Sequence, residues 1–178
     1  MHPDVEDVLY TEEQLSERIH KLGRQISADY AGREPVFVGI LSGSFIFMAD
    51  LVRACDLTCT VDFMSVSSYG SGTVSSGKIN IKKDLSHSIE GRDVIIVEDI
   101  LDTGNTLYHL KDYLRKYHPA SVRVAVLLDK PERRTADITA DYAGFTVPDA
   151  FIVGYGLDYD QRYRSLPYIG VLKPSVYS

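Results

Sequence analysis

The chain has 178 residues and a formal net charge of −6, from 25 acidic against 19 basic residues. That length suits one domain with a full hydrophobic core, and no linker, low-complexity tract or solenoid-length repeat divides it, so residues 1–178 read as a single domain. An acidic chain without a long Lys/Arg stripe argues against nucleic acid as a partner. With no apolar segment long enough to span a bilayer, and no charged start and apolar core of a signal peptide in Met1 to Tyr10, a cytoplasmic location away from membranes is expected.

In chain order, Thr11 followed by Gln14 forms a capping-box pattern. Leu15, Ile19, Leu22 and Ile26 then share one helical face, which predicts a helix covering a core. Val36 to Leu41 reads as a buried strand, Ser42-Gly43-Ser44 as a tight turn and Phe45 to Ala54 as the next helix. Cys55 and Cys59 lie across a helix-to-strand boundary, and the five histidines are scattered without ligand spacing, so reduced thiols are expected in place of a disulfide or zinc site. Val61 to Val66 alternates as a strand does and runs into Ser67-Ser68-Tyr69. Gly70 to Gly77, rich in Gly, Ser and Thr, reads as a mobile loop, and Ile79 and Ile81 mark a returning strand.

The most informative stretch runs from Val94 to Leu107. Val94 to Val97 has the continuous Val/Ile character of a parallel strand covered on both faces. Glu98 and Asp99 follow at its carboxyl end, where open α/β sheets place their ligands. Asp102-Thr103-Gly104-Asn105-Thr106 then offers hydroxyls and main-chain N–H groups at the start of an amphipathic helix carrying Leu107, Leu110 and Leu114, an anion site by construction. Pro119 closes this unit. Two carboxylates beside a phosphate cradle make sense when the ligand also carries hydroxyls or a divalent cation. A ribose phosphate carries both features. An ordinary strand-loop-helix with solvated acids would leave Asp102 and the Thr/Gly/Asn tract unexplained.

This run resembles the phosphoribosyl-diphosphate signature of the type I phosphoribosyltransferases, and within them the branch acting on hypoxanthine and guanine. Ordered satellites extend the resemblance from Leu41 to Lys173. Leu41-Ser42-Gly43-Ser44 is similar to the family's diphosphate loop with its non-proline cis peptide, although Ser42 stands where a Lys is frequent. Ser68-Tyr69-Gly70-Ser71-Gly72 matches the family's closing loop, which keeps water from the reacting ribose. Lys130, after the strand Val122 to Leu128, matches a donor to purine O6. Phe151 and Ile152 match the pair that stacks on the base and reads its edge, Asp158 a base-edge and Mg²⁺-associated acid, and Arg164 a diphosphate-contacting cation.

The resemblance implies an α/β fold, a mostly parallel twisted sheet flanked by helices, with a small hood formed mainly by the C-terminal segment, whose extended pieces are Phe151 to Val153 and Ile169 to Leu172. It implies transfer of phosphoribose from phosphoribosyl diphosphate to a 6-oxopurine, giving IMP or GMP and diphosphate, in a homodimer or homotetramer. Asp102, Tyr69 and Lys130 would be catalytic. Glu98, Asp99 and Asp102 to Thr106 would hold the ribose 5′-phosphate; Ser42, Gly43, Ser68, Tyr69 and Arg164 the diphosphate; and Lys130, Phe151, Ile152 and Asp158 the purine. Glu98, Asp99 and Asp158 would associate with Mg²⁺, which an acidic protein needs beside a polyanion. A xanthine- or uracil-specific transferase would differ at the purine positions, an RNA-binding relative would add a basic face, and a phospho-acceptor signalling domain would not need the loop and hood. The chain lacks a nucleoside-triphosphate P-loop, and Gly154-Tyr155-Gly156 lacks the third glycine of a dinucleotide fingerprint.

Overall fold

The computed structural model describes residues 1–68 and 79–178. A six-stranded sheet organises them in the order β4 (Ile79–Lys83), β3 (Thr60–Ser68), β2 (Val36–Leu41), β5 (Asp93–Leu101), β6 (Ser121–Asp129), β7 (Tyr142–Thr146). All neighbours pair in parallel except the antiparallel edge strand β4. The expected mostly parallel sheet is present. Tyr69, and with it the loop segment of residues 70–77, lies outside the described residues.

Burial on two faces explains the strand sequences. Val94, Ile95, Ile96 and Val97 are all fully buried, but alternate ones serve different layers. Ile95 and Val97 pack with Leu15, Ile19, Leu22 and Ile26 of α1 (Glu12–Asp29) and Phe47, Met48 and Leu51 of α2 (Phe45–Ala54). Val94 and Ile96 pack with Leu107, Leu110 and Leu114 of α3 (Asn105–Arg115). Each such side chain contributes about 1.5–3 kcal/mol on burial, so this one strand ties both helical layers to the sheet. The capping box forms with both arms: Gln14 N donates to Thr11 Oγ1 at 3.3 Å and Thr11 N to Gln14 Oε1 at 2.8 Å.

The hood is formed mainly by the C-terminal segment, as expected, with one strand added from the start of the chain. It is a three-stranded antiparallel sheet, β1 (Val5–Tyr10), β9 (Ile169–Leu172), β8 (Ile152–Val153), so the first strand of the chain joins the last two. Val5 is 1% exposed and packs with Val153 and Leu172. The pattern from Val5 to Tyr10 is too mixed to stand out, because only Val5 is fully buried. A short helix, α4 (Pro174–Tyr177), follows β9. Cys55 and Cys59 are unpaired, and burial, with the Cys59 thiol adding, pushes the Cys55 thiol up to about 11.

At the far edge, Asp62 on β3 is buried and ties down the segment after β4. It accepts hydrogen bonds from Ser86 N (2.8 Å), His87 N (3.2 Å) and Phe63 N (2.8 Å), with Lys83 Nζ at 3.7 Å. Burial acts to raise its pKa, yet the three N–H donors and Lys83 outweigh it and hold the carboxyl below its ordinary range. Asp62→Ala strands the Ser86 and His87 amides and is expected to cost about 2 kcal/mol by urea unfolding at neutral pH. Because the folded pKa is depressed, the ionised form stabilises the fold above the ordinary carboxylate range and ceases to do so as pH falls through the folded value. The gap between wild type and variant should therefore narrow in acid; a gap independent of pH would show that the charge is immaterial.

Candidate active site

The site begins where two strand pairings end at different places. β2 and β5 pair only as far as Gly39↔Val97, whereas β5 and β6 continue to Leu101↔Asp129. Beyond Val97 the β2 side of β5 is thus open, at the point in the sheet where successive strands leave in opposite directions, the usual crevice of an open α/β fold. Glu98 and Asp99 lie within the strand and not after it, because β6 carries the pairing four residues past Val97. The alternation of faces slips there: Val97 and Ile100 share one cluster, Ile96 and Leu101 the other. Across the slip, side chains satisfy main-chain donors, with Asp99 N donating to Glu98 Oε1 at 3.1 Å and Ile100 N to Asp99 Oδ1 at 2.7 Å.

A cavity of about 320 Å³ opens at this point. Its lining includes Leu41, Gly43, Glu98, Asp99, Asp102, Thr103, Gly104, Thr106, Asp158 and Arg164, residues from the sheet, the two strand-to-helix turns and the hood. Gly43 is required by contact, since a Cβ there would fall 1.8 Å from Asp99 Oδ2. It follows the cis peptide Leu41–Ser42. Gly104 caps α3 with φ 84°, a left-handed turn in which a Cβ would also meet Ile138. Thr103, Gly104, Thr106 and Leu107 line the cavity at this helix start, the end at which a helix dipole favours an anion.

The cavity charges are unequal. Burial raises the Glu98 pKa well above the ordinary carboxylate range, and the Asp99 charge adds to the effect. Asp99 is also raised by burial, while hydrogen bonds and the Arg164 charge oppose the rise. Arg164 is held by the hood, donating to Gly156 O at 2.7 Å and pairing with Asp158 at 3.1 Å. Asp158 also accepts from Gln161 N at 2.9 Å. Among the described residues no three acid, His or Cys groups converge as a metal site, and Asp158 pairs with Arg164.

Other expected residues surround the cavity without lining it. Ser42 is exposed, and its carbonyl accepts from Phe45 N at 3.2 Å. Ser68 ends β3 and Asn105 starts α3. Lys130, 7% exposed, donates from Nζ to Ala150 O at 2.9 Å. Ile152 belongs to the core. The Phe151 ring, 37% exposed, stacks on Tyr177 with centroids 4.8 Å apart and meets Tyr159 edge-on at 5.3 Å. Sequence reasoning missed Arg133, whose Nε lies 3.0 Å from Asp102 Oδ1, and Tyr177; a charged residue in a turn and an aromatic near the chain end carry no pattern of their own.

Comparison with known proteins bears on this arrangement. Residues 7–160 match the phosphoribosyl transferase domain model, and the chain belongs to that family. More narrowly, it is 55% identical over 175 residues to the hypoxanthine-guanine phosphoribosyltransferase of Streptococcus pneumoniae, covering 98% of this chain and 97% of that protein. It is 54% identical over 178 residues to the bifunctional protein TilS/HprT of Listeria innocua, covering 100% of this chain. The chain spans 28% of the length of that relative. The crystal structure of a hypoxanthine phosphoribosyltransferase from Staphylococcus aureus superposes with a TM-score of 0.97 at 52% identity, covering 100% of this chain and 97% of that one.

The raised Glu98 pKa has a consequence for the empty protein. A carboxyl whose folded pKa exceeds its unfolded value costs nothing below the unfolded value and destabilises increasingly as pH rises through the window between the two. In chelator and without substrates, Glu98→Gln should therefore raise the thermal midpoint at neutral pH and leave it unchanged in acid. An equal midpoint for both proteins at neutral pH would mean that the acid pair is relaxed in the empty site.

Proposed function

We propose that this chain joins hypoxanthine or guanine to 5-phosphoribosyl 1-diphosphate, releasing diphosphate and giving IMP or GMP. The observation that supports the reading is one cavity lined together by the acid pair Glu98–Asp99, by the start of α3 and by Arg164. Few ligands want adjacent carboxylates and an anion cradle together, and a ribose phosphate does. The names of the relatives supply the base. The same reading takes a homodimer or homotetramer as the working form and the cytoplasm as the compartment; no helix of the described residues is long and apolar enough to cross a membrane.

In this reading Thr103 to Thr106 bind the 5′-phosphate through main-chain N–H groups and hydroxyls, and Glu98 and Asp99 accept from the ribose hydroxyls. Gly43 and its neighbour Ser42 offer backbone to the diphosphate, which Arg164 neutralises from the hood side. Two carboxylates with raised pKa values suit a divalent cation, and Mg²⁺ there would take its other ligands from the donor and water while offsetting charge on the leaving group. As the base bonds to the sugar, the C1′–O bond breaks and diphosphate leaves with the electron pair. The purine loses its N7 proton to Asp102, the general base. Lys130 supports O6, while Phe151, Ile152 and Asp158 fix the base plane and far edge. Tyr69 comes from the family's closing loop. Catalysis then rests on alignment and leaving-group charge and needs no covalent enzyme intermediate.

A base panel assayed with phosphoribosyl diphosphate and Mg²⁺ tests the reading. Hypoxanthine and guanine should turn over and adenine should not, since a Lys ammonium donates to a carbonyl and has nothing to accept an amino proton. Turnover should vanish in excess chelator. Asp102→Asn should keep the fold and lose about 10²- to 10⁴-fold in kcat. Comparable turnover of adenine, or a well-folded Asp102→Asn protein with near-normal kcat, would overturn the assignment.

A further inference from the structure

Asp102 has a neighbour that its proposed role does not use. Its side chain is 39% exposed, yet its Oδ1 is shut off from solvent and has no hydrogen-bond partner among the described residues. The exposure therefore belongs to the rest of the side chain. The charge at Oδ1 is Arg133, whose Nε lies 3.0 Å away without the alignment of a hydrogen bond. Arg133 Nη1 lies 3.7 Å from Asp149 Oδ1, and Lys130 Nζ lies 3.6 Å from the same oxygen. The four side chains form an alternating row, negative, positive, negative, positive, from Asp102 to Lys130.

The backbone delivers Arg133 to this place. It ends the 3₁₀ turn Pro131–Arg133 directly after β6. Arg134 clamps that turn to the tail of β5, donating from Nε to Asp102 O at 3.1 Å and from Nη1 to Ile138 O at 2.8 Å and pairing with Asp129. Arg134 is thus structural, and Arg133, 48% exposed, is left over the site.

We propose that Arg133 is a positioning residue for Asp102. Its guanidinium engages Oδ1, fixes the carboxyl rotamer and leaves Oδ2 to take the N7 proton, while Asp149 links the same cation to the O6 lysine. On a 6-oxopurine N7 and O6 share one edge, so a single row of charges spaces both contacts. Arg133 keeps its own protons throughout, and the one proton moved passes from N7 to Asp102. This inference rests on the functional reading above.

The test is a steady-state comparison of wild type, Arg133→Ala, Arg133→Lys, Asp102→Asn and the Arg133→Ala/Asp102→Asn double variant, with hypoxanthine varied and then phosphoribosyl diphosphate varied. Arg133→Ala should lower kcat with hypoxanthine about three- to tenfold, the range for a charged contact at a half-exposed site. KM for phosphoribosyl diphosphate and the thermal midpoint should hold, and Arg133→Lys should recover most of the loss. Because the close contact of Arg133 is with Asp102 and its link to Lys130 through Asp149 is longer, its removal should cost less than about twofold in the Asp102→Asn background. Wild-type kcat in Arg133→Ala, or a loss undiminished in the Asp102→Asn background, would overturn the proposal. Absence of wild-type turnover with any 6-oxopurine would instead overturn the functional reading, and this inference with it.

Discussion

Two carboxylates forced together where a parallel strand outruns one of its neighbours set the terms for everything around them. β5 keeps β6 to Leu101 but loses β2 after Val97, so Glu98 and Asp99 stand in protein on one side and in an open crevice on the other. Water cannot solvate both freely, and burial raises both pKa values. The fold meets this cost only in part, with the main-chain N–H groups of Asp99 and Ile100 and the charge of Arg164. The remaining imbalance is a standing preference for positive charge and hydroxyl donors. In a chain of net charge −6, the anion proposed to bind beside these acids would rely on the α3 start, whose main-chain amides are fixed dipoles where side-chain cations are scarce.

The hood is fastened to the same crevice. Tyr155, buried among α1 and α2, donates its hydroxyl to Asp50 on α2. The next residue, Gly156, exchanges hydrogen bonds with Arg164, its N–H donating to Arg164 O at 2.9 Å and its carbonyl accepting from the guanidinium at 2.7 Å. Since α2 starts at the Ser42-Gly43-Ser44 turn, one short path runs from that turn through α2 and Tyr155 to Arg164. The cation whose charge acts on Asp99 is therefore positioned through the helix that follows the Gly43 turn, itself packed against Asp99.

How much of this was legible follows from how far apart the parts lie in sequence. The Val94–Val97 strand, the two acids, Asp102 and the α3 start occupy one βα unit, and their residue types alone pointed to a ribose phosphate. The α1 capping box and core face were equally readable, since periodicity and cap chemistry are local. What escaped notice was non-local. β1 is held by pairing with β9, with Val5 opposite Leu172 and Tyr10 opposite Ile169, and its alternation is too weak to announce a strand. The strand end was misplaced at Val97 because polar residues at 98 and 99 look like a terminus, whereas backbone pairing with β6 decides the matter. Arg133 and Arg134 are adjacent arginines with different tasks, one exposed over Asp102 and one locked to three carbonyls; only the turn geometry separates them.

This division has a functional side. The groups proposed for the ribose phosphate sit on the sheet tail and one helix start, next to the two-sided core of β5. The groups proposed for the base come from four separated places, Lys130 after β6, Arg133 in the following turn, Phe151 and Ile152 at β8, and Asp158 in the hood loop. The contacts joining them are ion pairs of 3.0–3.7 Å between partly exposed side chains and an aromatic stack on Tyr177, each weaker and more adjustable than a buried strand pair. In such an arrangement the groups proposed for the base can change one at a time, while the β5–α3 unit proposed to hold the sugar phosphate cannot shift without disturbing the core on both faces of the sheet.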